Sequence, residues 1–109
     1  MGNKTLTYGN ADMLVLKLLE NTDMYGYQIS EELEKRSCNV FRLSAGSLYP
    51  LLHNLENKGL VDSYESDIKG KTSGKTRKYY HITEKGRLFL LEKSNEWKTY
   101  SEAVNLIIL

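Results

Sequence analysis

The chain has 109 residues, one cysteine, two histidines and a formal net charge of +1 at neutral pH. This length allows one domain with a short appendage. One cysteine excludes an internal disulfide framework, and two histidines leave a zinc site short of ligands, so we expect no metal and no cofactor.

The first predicted helix covers residues 10–21, after a loose arm at residues 1–9. It has almost no polar face, because most of its side chains are apolar: Met13, Leu14, Val15, Leu16, Leu18 and Leu19. Such a helix must be covered on more than one side, which indicates a partner subunit, with a central helix in a monomer core as the alternative. The apolar run at 13–19 is too short to span a membrane, and no signal peptide precedes it, so we expect a cytoplasmic protein without membrane association.

A second helix is predicted at residues 25–37, where Ile29 and Leu33 lie four residues apart on an apolar face. Tyr27 stands near its N-terminus, where backbone N–H groups and the helix dipole can meet a phosphate. The alternation of apolar and polar residues at 40–43 predicts one short strand.

The third helix, at residues 44–58, has two faces of different character. Leucines at helical spacing form an apolar stripe: Leu48, Leu51, Leu52 and Leu55. Ser44 is the candidate N-cap and Gly59 the candidate residue past the C-terminus. Pro50 breaks one internal bond if the helix begins at Ser44, and none if it begins near Gly46. The opposite face is nearly uncharged, which suits the DNA major groove, although a solvated face is the alternative.

Two strands, at residues 60–65 and 78–82, flank a glycine-rich and basic connection at 66–76 and predict a β-hairpin. Residues 66–87 contain seven cations and two anions, so a net charge of +5 lies in this segment and −4 in the rest of the chain. Helix, helix, short strand, helix and hairpin is the order of a winged helix-turn-helix domain. We therefore predict a mainly α fold with a small β-hairpin, and a DNA-binding domain at residues 1–82.

The last predicted helix covers residues 83–109, with Thr83 as its N-cap. It has a heptad-like apolar stripe of Leu90, Trp97, Tyr100, Val104 and Ile107. A winged-helix core leaves such a helix little to pack against, so we predict a C-terminal dimerisation helix. A homodimer would present two recognition helices to a pseudo-palindromic operator in double-stranded DNA.

Three motifs carry a family resemblance. Residues 46–52 with 55–61 resemble the recognition-helix signature of the PadR family of bacterial transcriptional regulators. Residues 77–86 resemble that family's signature from the wing to the last helix, and residues 25–29 resemble its second-helix motif. The resemblance covers roughly residues 10–92.

The sequence departs from the family pattern in a few places. Ser47 stands where Thr is commoner, and His81 and Ile82 stand where Arg and Leu are commoner. The single C-terminal helix is similar to the smaller PadR-like subgroup, whose members are dimers through that helix. The resemblance implies a repressor that a small aromatic or drug-like ligand releases from DNA.

Candidate DNA contacts follow from side-chain chemistry. For base edges we choose residues that donate or accept hydrogen bonds: Ser44, Ser47, Tyr49, His53 and Asn54. For phosphates we choose Tyr27, Lys69, Lys71, Lys75, Arg77 and Lys78. Tyr49 has a second interpretation, in which its ring packs on the second helix and its hydroxyl alone reaches a phosphate.

Candidate residues for a dimer or ligand interface are Leu14, Leu18, Leu90, Trp97, Tyr100 and Val104. Trp97 is either an interface anchor or half of an aromatic pair that sandwiches a planar effector. The sequence has no pattern of paired carboxylates, nucleophile with base, or phosphate loop, so we do not expect an enzyme. The alternative function is a winged-helix protein-interaction module without DNA binding.

Overall fold

The computed structural model of the chain describes residues 10–67 and 76–109, together with the backbone of residues 4–5. The helices are α1 Asn10–Leu18, α2 Gly26–Arg36, α3 Ala45–Asn57 and α4 Glu84–Ile108. The strands are β1 Lys4–Thr5, β2 Met24–Tyr25, β3 Phe41–Arg42, β4 Val61–Asp67 and β5 Thr76–Ile82. The mainly α winged-helix fold with a small hairpin is confirmed.

The main sheet has the strand order β2–β5–β4, and both pairings are antiparallel. β4 and β5 pair in register from Val61 opposite Ile82 to Asp67 opposite Thr76. The hairpin therefore extends further toward its tip than the sequence predicted. We call β4 and β5 together the wing.

Two short strands were not predicted. β2 joins the wing with Met24 opposite Tyr80 and Tyr25 opposite Tyr79. β1 pairs in parallel with β3 as a separate two-stranded sheet. The β2 pairing is the one that matters for the site, because it attaches the wing to the start of α2.

The core lies between the helices and the inner face of the wing. Leu48, Leu52 and Leu55 of α3 are buried as the stripe predicted, while Leu51 is half-buried. They pack in one cluster with residues of α2 and the wing, among them Ile29, Leu33, Val61, Tyr80 and Ile82. The third helix is thus held by its leucine face, which leaves its polar face outward.

The side chains of α1 are covered mainly within the single chain. Those that are buried are Met13, Val15, Leu16 and Leu18, with Leu19 just beyond the helix end. Leu14 remains half-buried beside this cluster. The central helix of a monomer core, which was the alternative for this segment, accounts for most of its apolar surface.

The joint between α3, the wing and α4 is built around Thr83. Its Oγ1 accepts a hydrogen bond of 3.0 Å from the Gly86 amide and donates one of 2.7 Å to the Gly59 carbonyl. Gly59 has a φ of +76°, as expected for the residue past a helix end. The predicted N-cap therefore also connects the end of α3 to the start of α4.

Candidate nucleic-acid interface

The polar face of α3 is exposed, opposite its buried leucines. Ser44, Tyr49, His53 and Asn54 are exposed and Ser47 is half-buried. α3 begins at Ala45, so Ser44 stands at the N-cap position, but its hydroxyl bonds Ser47 Oγ at 3.4 Å instead of capping a backbone amide. These side chains are uncharged hydrogen-bonding groups, the chemistry that reads base edges.

Pro50 stands inside α3, in its second turn. The alternative start near Gly46, which would have kept Pro50 in the first turn, does not occur. Because proline has no N–H, the carbonyl of Gly46 receives no helical bond from position 50. The exposed N-terminal turn of α3 is therefore less tightly bonded than the rest of the helix.

Tyr49 leans from α3 onto the first residue of α2. A methyl group on Gly26 would lie 2.5 Å from the Tyr49 hydroxyl and 2.8 Å from the adjoining ring carbon, so only glycine leaves room for this ring. Tyr49 is still 50% exposed. Its ring thus packs on α2 while part of the side chain stays at the surface, as in the second interpretation of this residue.

An open cleft of about 380 Å³ lies where α2, α3 and the wing meet. It is lined by Tyr25, Gly26, Tyr49, Arg77, Lys78 and Tyr80. The guanidinium of Arg77 lies 4.3 Å above the ring of Tyr25. Tyr27, on the first turn of α2, is 66% exposed beside it. Two cations and a helix N-terminus at one cleft favour an anion such as a backbone phosphate.

The base of the wing is fixed by aromatic packing that sequence reasoning did not identify. Tyr79 stacks on Tyr64 at 5.7 Å between ring centroids and meets Tyr25 edge-on at 5.5 Å. Tyr80, on the opposite face of the same strand, is buried in the core. Successive residues of a strand point to opposite faces, which separates the two tyrosines, but the partners of Tyr79 depend on the cross-strand register.

Asp23 ties the turn before β2 to the outer face of the wing. Its carboxylate accepts hydrogen bonds from the Tyr64 hydroxyl at 2.6 Å and from His81 Nδ1 at 2.8 Å. Burial acts to raise the pKa of Asp23, but these two hydrogen bonds and the attraction of His81 outweigh it, so the pKa lies below its ordinary value. The bond to Asp23 raises the pKa of Tyr64. Long-range pairs of this kind leave no signal in local sequence.

Part of the predicted phosphate set lies outside the described residues, namely Lys69, Lys71 and Lys75. Tyr27, Arg77 and Lys78 lie within them. Arg77 and Lys78 line the cleft, and Tyr27 is exposed next to Gly26 in the first turn of α2. Lys78 has a further neighbour that the sequence did not predict, the carboxylate of Glu56, at 3.7 Å.

The predicted dimer and ligand residues fall into two groups. Leu18 and Leu90 belong to the core of the single chain. Trp97 and Tyr100 are 45% and 62% exposed, with ring centroids 5.8 Å apart, and Val104 is half-buried. The aromatic pair lines a surface cleft with Asn10, Lys93 and Glu96.

The fold agrees with comparisons to known proteins. A family model described as the transcriptional regulator PadR-like family matches residues 15–92. The chain belongs to the PadR-like family of transcriptional regulators. The family resemblance deduced from the three motifs is thereby confirmed.

Individual transcriptional regulators match over most of the chain. A transcriptional regulator from Clostridium thermocellum is 29% identical with a TM-score of 0.82, covering 93% of this chain and 95% of that one. A PadR family transcription regulator from hypervirulent Clostridium difficile R20291 is 36% identical with a TM-score of 0.80, covering 93% of this chain and 100% of that one. The transcriptional regulator Rv3488 of Mycobacterium tuberculosis is 32% identical over 72% of this chain and 66% of its own length.

The matched family and these relatives are transcriptional regulators and not enzymes. None of the helices in the described ranges combines the length and apolar character needed to cross a lipid bilayer.

Proposed function

We propose that this PadR-family chain regulates transcription by binding duplex DNA, with α3 in the major groove and the wing on the flanking backbone. The observation that carries the proposal is the position of the cleft. Tyr49, from the exposed and uncharged face of α3, lines this cleft together with Arg77 and Lys78 of the wing and with Gly26 at the N-terminus of α2. A groove reader needs both elements together, because base contacts choose the sequence and phosphate contacts supply affinity.

In this proposal each side chain has a defined role. Base edges are contacted from α3 by Ser44, Ser47, Tyr49, His53 and Asn54. Phosphates are contacted by Tyr27 and Arg77 on any duplex and by Lys78 in the operator complex, and the proposal extends the phosphate role to Lys69, Lys71 and Lys75. Asn54 can pair with adenine through both donor and acceptor, so it is the strongest candidate for direct base discrimination. Because the ring of Tyr49 packs on α2, its contact with DNA is restricted to the hydroxyl.

A gel-shift titration with duplex from upstream of the protein's own gene tests DNA binding. We expect a shifted complex that survives excess unrelated duplex and weakens steeply with salt. Arg77→Gln should weaken binding to all duplexes equally, whereas Asn54→Ala should weaken mainly the specific complex. A protein that shifts no duplex at low salt would contradict the proposal and favour the protein-interaction module.

We further propose that residues 1–82 form the DNA-binding unit and residues 83–109 a dimerisation helix. Support comes from the apolar side chains that the second half of α4 exposes in the single chain. Trp97 is 45% exposed, and Leu106 and Ile107 are 87% and 85% exposed. A second copy would bury them, and its two-fold axis would match a pseudo-palindromic operator.

Sedimentation equilibrium tests the oligomeric state. We expect a dimer for the wild type and a shift toward monomer for Trp97→Ser. Thr99→Ser, an exposed position two residues along the same helix, is the matched control and should leave the dimer intact. A wild-type monomer at micromolar concentration would contradict the assignment of this helix.

The last part of the proposal is that the chain is a repressor released by a small planar aromatic ligand beside Trp97. The exposed aromatic pair and its cleft support a stacking site. Trp97 is the only tryptophan in the sequence, so its fluorescence reports on that site alone. Titration with flat aromatic cations and phenolic acids should quench it and release bound operator. If no compound quenches the emission, the effector assignment is wrong.

A further inference from the structure

Glu56 connects the third helix to both strands of the wing. It stands in the last turn of α3, on the side turned toward the hairpin. One carboxylate oxygen accepts a hydrogen bond of 2.5 Å from the Ser63 hydroxyl on β4. The other lies 3.7 Å from the Lys78 ammonium on β5. A single acidic side chain thus joins the three elements that the proposed DNA complex has to hold in one arrangement.

The ion pair between Glu56 and Lys78 stabilises folding little. The side chains of Lys78 and Glu56 are 52% and 33% exposed, so water and salt screen their attraction. For the Lys78 ammonium, however, the Glu56 carboxylate is an anionic oxygen acceptor of the same kind as a DNA phosphate. The ammonium also lies 5.6 Å from the ring of buried Tyr80, which places the lysine stem along the inner face of the wing.

Arg77, the preceding residue, is in a different position. It lies on the outer face of the wing, with its guanidinium over the Tyr25 ring, and in the described part of the chain it has no acidic partner within ion-pair distance. Adjacent strand residues point to opposite faces, so only Lys78 comes under the carboxylate of α3. Two neighbouring cations therefore differ in how available they are to DNA.

We propose that Glu56 is a specificity-determining residue that competes with DNA phosphate for the Lys78 ammonium. The inference rests on the proposed DNA binding and refines it. Lys78 keeps its carboxylate partner on an arbitrary duplex, so it adds little to non-specific affinity, while Arg77 contributes on every duplex. The bond to Ser63 holds the carboxylate over the wing, so the competition is built into the fold.

The salt dependence of binding to a mixed-sequence duplex tests this competition. Log affinity falls linearly with log salt concentration, and we call the steepness of this fall the slope. Each phosphate contact adds about 0.9 to the slope, which is about a 3.5-fold loss of affinity between 50 and 200 mM salt. We expect Arg77→Gln to lower the slope by about 0.9 and Lys78→Met to leave it unchanged. Glu56→Gln, which keeps an oxygen acceptor for Ser63, should raise the slope by about 0.9.

The double variant with Glu56→Gln and Lys78→Met separates competition from a general change in charge. If Glu56 acts through Lys78, adding Glu56→Gln to Lys78→Met changes nothing. Glu65 is a matched control, because it lies directly opposite Lys78 in the strand register while its carboxylate accepts a bond from Thr76. Glu65→Gln should leave the slope unchanged.

The possible failures are distinct from one another. A wild-type protein that binds no duplex overturns the proposed function itself. A wild type that binds, with Lys78→Met lowering the slope as much as Arg77→Gln, overturns only the role of Glu56. Thermal melting of Glu56→Gln checks its fold, and if that variant does not fold, the comparison of Lys78→Met with Arg77→Gln still decides the question.

Discussion

Replacing Gly26 with alanine tests whether the ring of Tyr49 is held against α2. The added methyl would lie 2.5 Å from the Tyr49 hydroxyl, so one of the two must move. The ring is the free end of a side chain that is 50% exposed, and it can swing outward. Moving it off its rotamer costs about 0.5–1.5 kcal/mol, while glycine to alanine in a helix gains up to about 1 kcal/mol.

The free energy of unfolding of Gly26→Ala should therefore lie within about 1 kcal/mol of wild type. DNA binding should suffer more, because the hydroxyl leaves its place beside the cleft. One hydrogen bond is worth about 1 kcal/mol net, or roughly a fivefold loss of affinity. Tyr49→Phe, which removes the hydroxyl and keeps the ring, should show a similar loss.

Urea unfolding and fluorescence anisotropy with a labelled operator duplex measure the two quantities on the same preparations. A loss of stability above about 3 kcal/mol would show that the ring cannot swing aside. Operator affinity unchanged in both Gly26→Ala and Tyr49→Phe would refute the role of the hydroxyl.

Three further predictions concern the joint and the base of the wing. Gly86→Ala should destabilise by about 3 kcal/mol or more in urea unfolding, because its methyl would overlap the backbone carbonyl of Leu60, which cannot swing away; near-normal stability would show that the joint yields. Thr83→Val removes the hydrogen bonds to the Gly59 carbonyl and from the Gly86 amide, so its free energy of unfolding should fall by about 1 kcal/mol in the same assay. An unchanged free energy of unfolding would contradict the role of Thr83 as a cap. Folding lowers the pKa of Asp23. The stabilisation that this carboxylate gives the folded state is therefore present at pH values above its ordinary pKa and is lost as the pH falls through the folded-state pKa. Asp23→Asn should thus be less stable than wild type at pH 7 and converge with it in acid, and a pH-independent difference would contradict the network.

The elements that the sequence predicted are those that local rules determine. The leucine spacing of α3, the cap at Thr83 and the glycine past the helix end all depend on neighbours within one turn, and each stands where expected. One boundary differs, since the first helix ends at Leu18 where the sequence predicted residue 21. The order of elements indicated a winged helix-turn-helix domain, and the three motifs indicated the family.

What the sequence could not provide are the contacts set by register and by distance along the chain. Asp23 and His81 are 58 residues apart, and their 2.8 Å contact exists only because β2 pairs with β5. Glu56 and Lys78 belong to different elements, and only the packing of α3 against β5 brings their side chains to 3.7 Å. This pair distinguishes Lys78 from Arg77, the other cation of the cleft.

The most direct test of the account measures how strongly α3 discriminates between DNA sequences. A duplex selected from a random pool by the wild type is compared with a scrambled duplex, for the wild type and for Asn54→Ala. A bidentate contact from a side chain to a base is worth about 1–3 kcal/mol of discrimination. The ratio of the affinity for the selected duplex to that for the scrambled duplex should therefore fall roughly 5- to 150-fold in Asn54→Ala, while the affinity for the scrambled duplex changes little. An unchanged ratio, or an equal loss on both duplexes, would contradict the placement of this helix in the major groove.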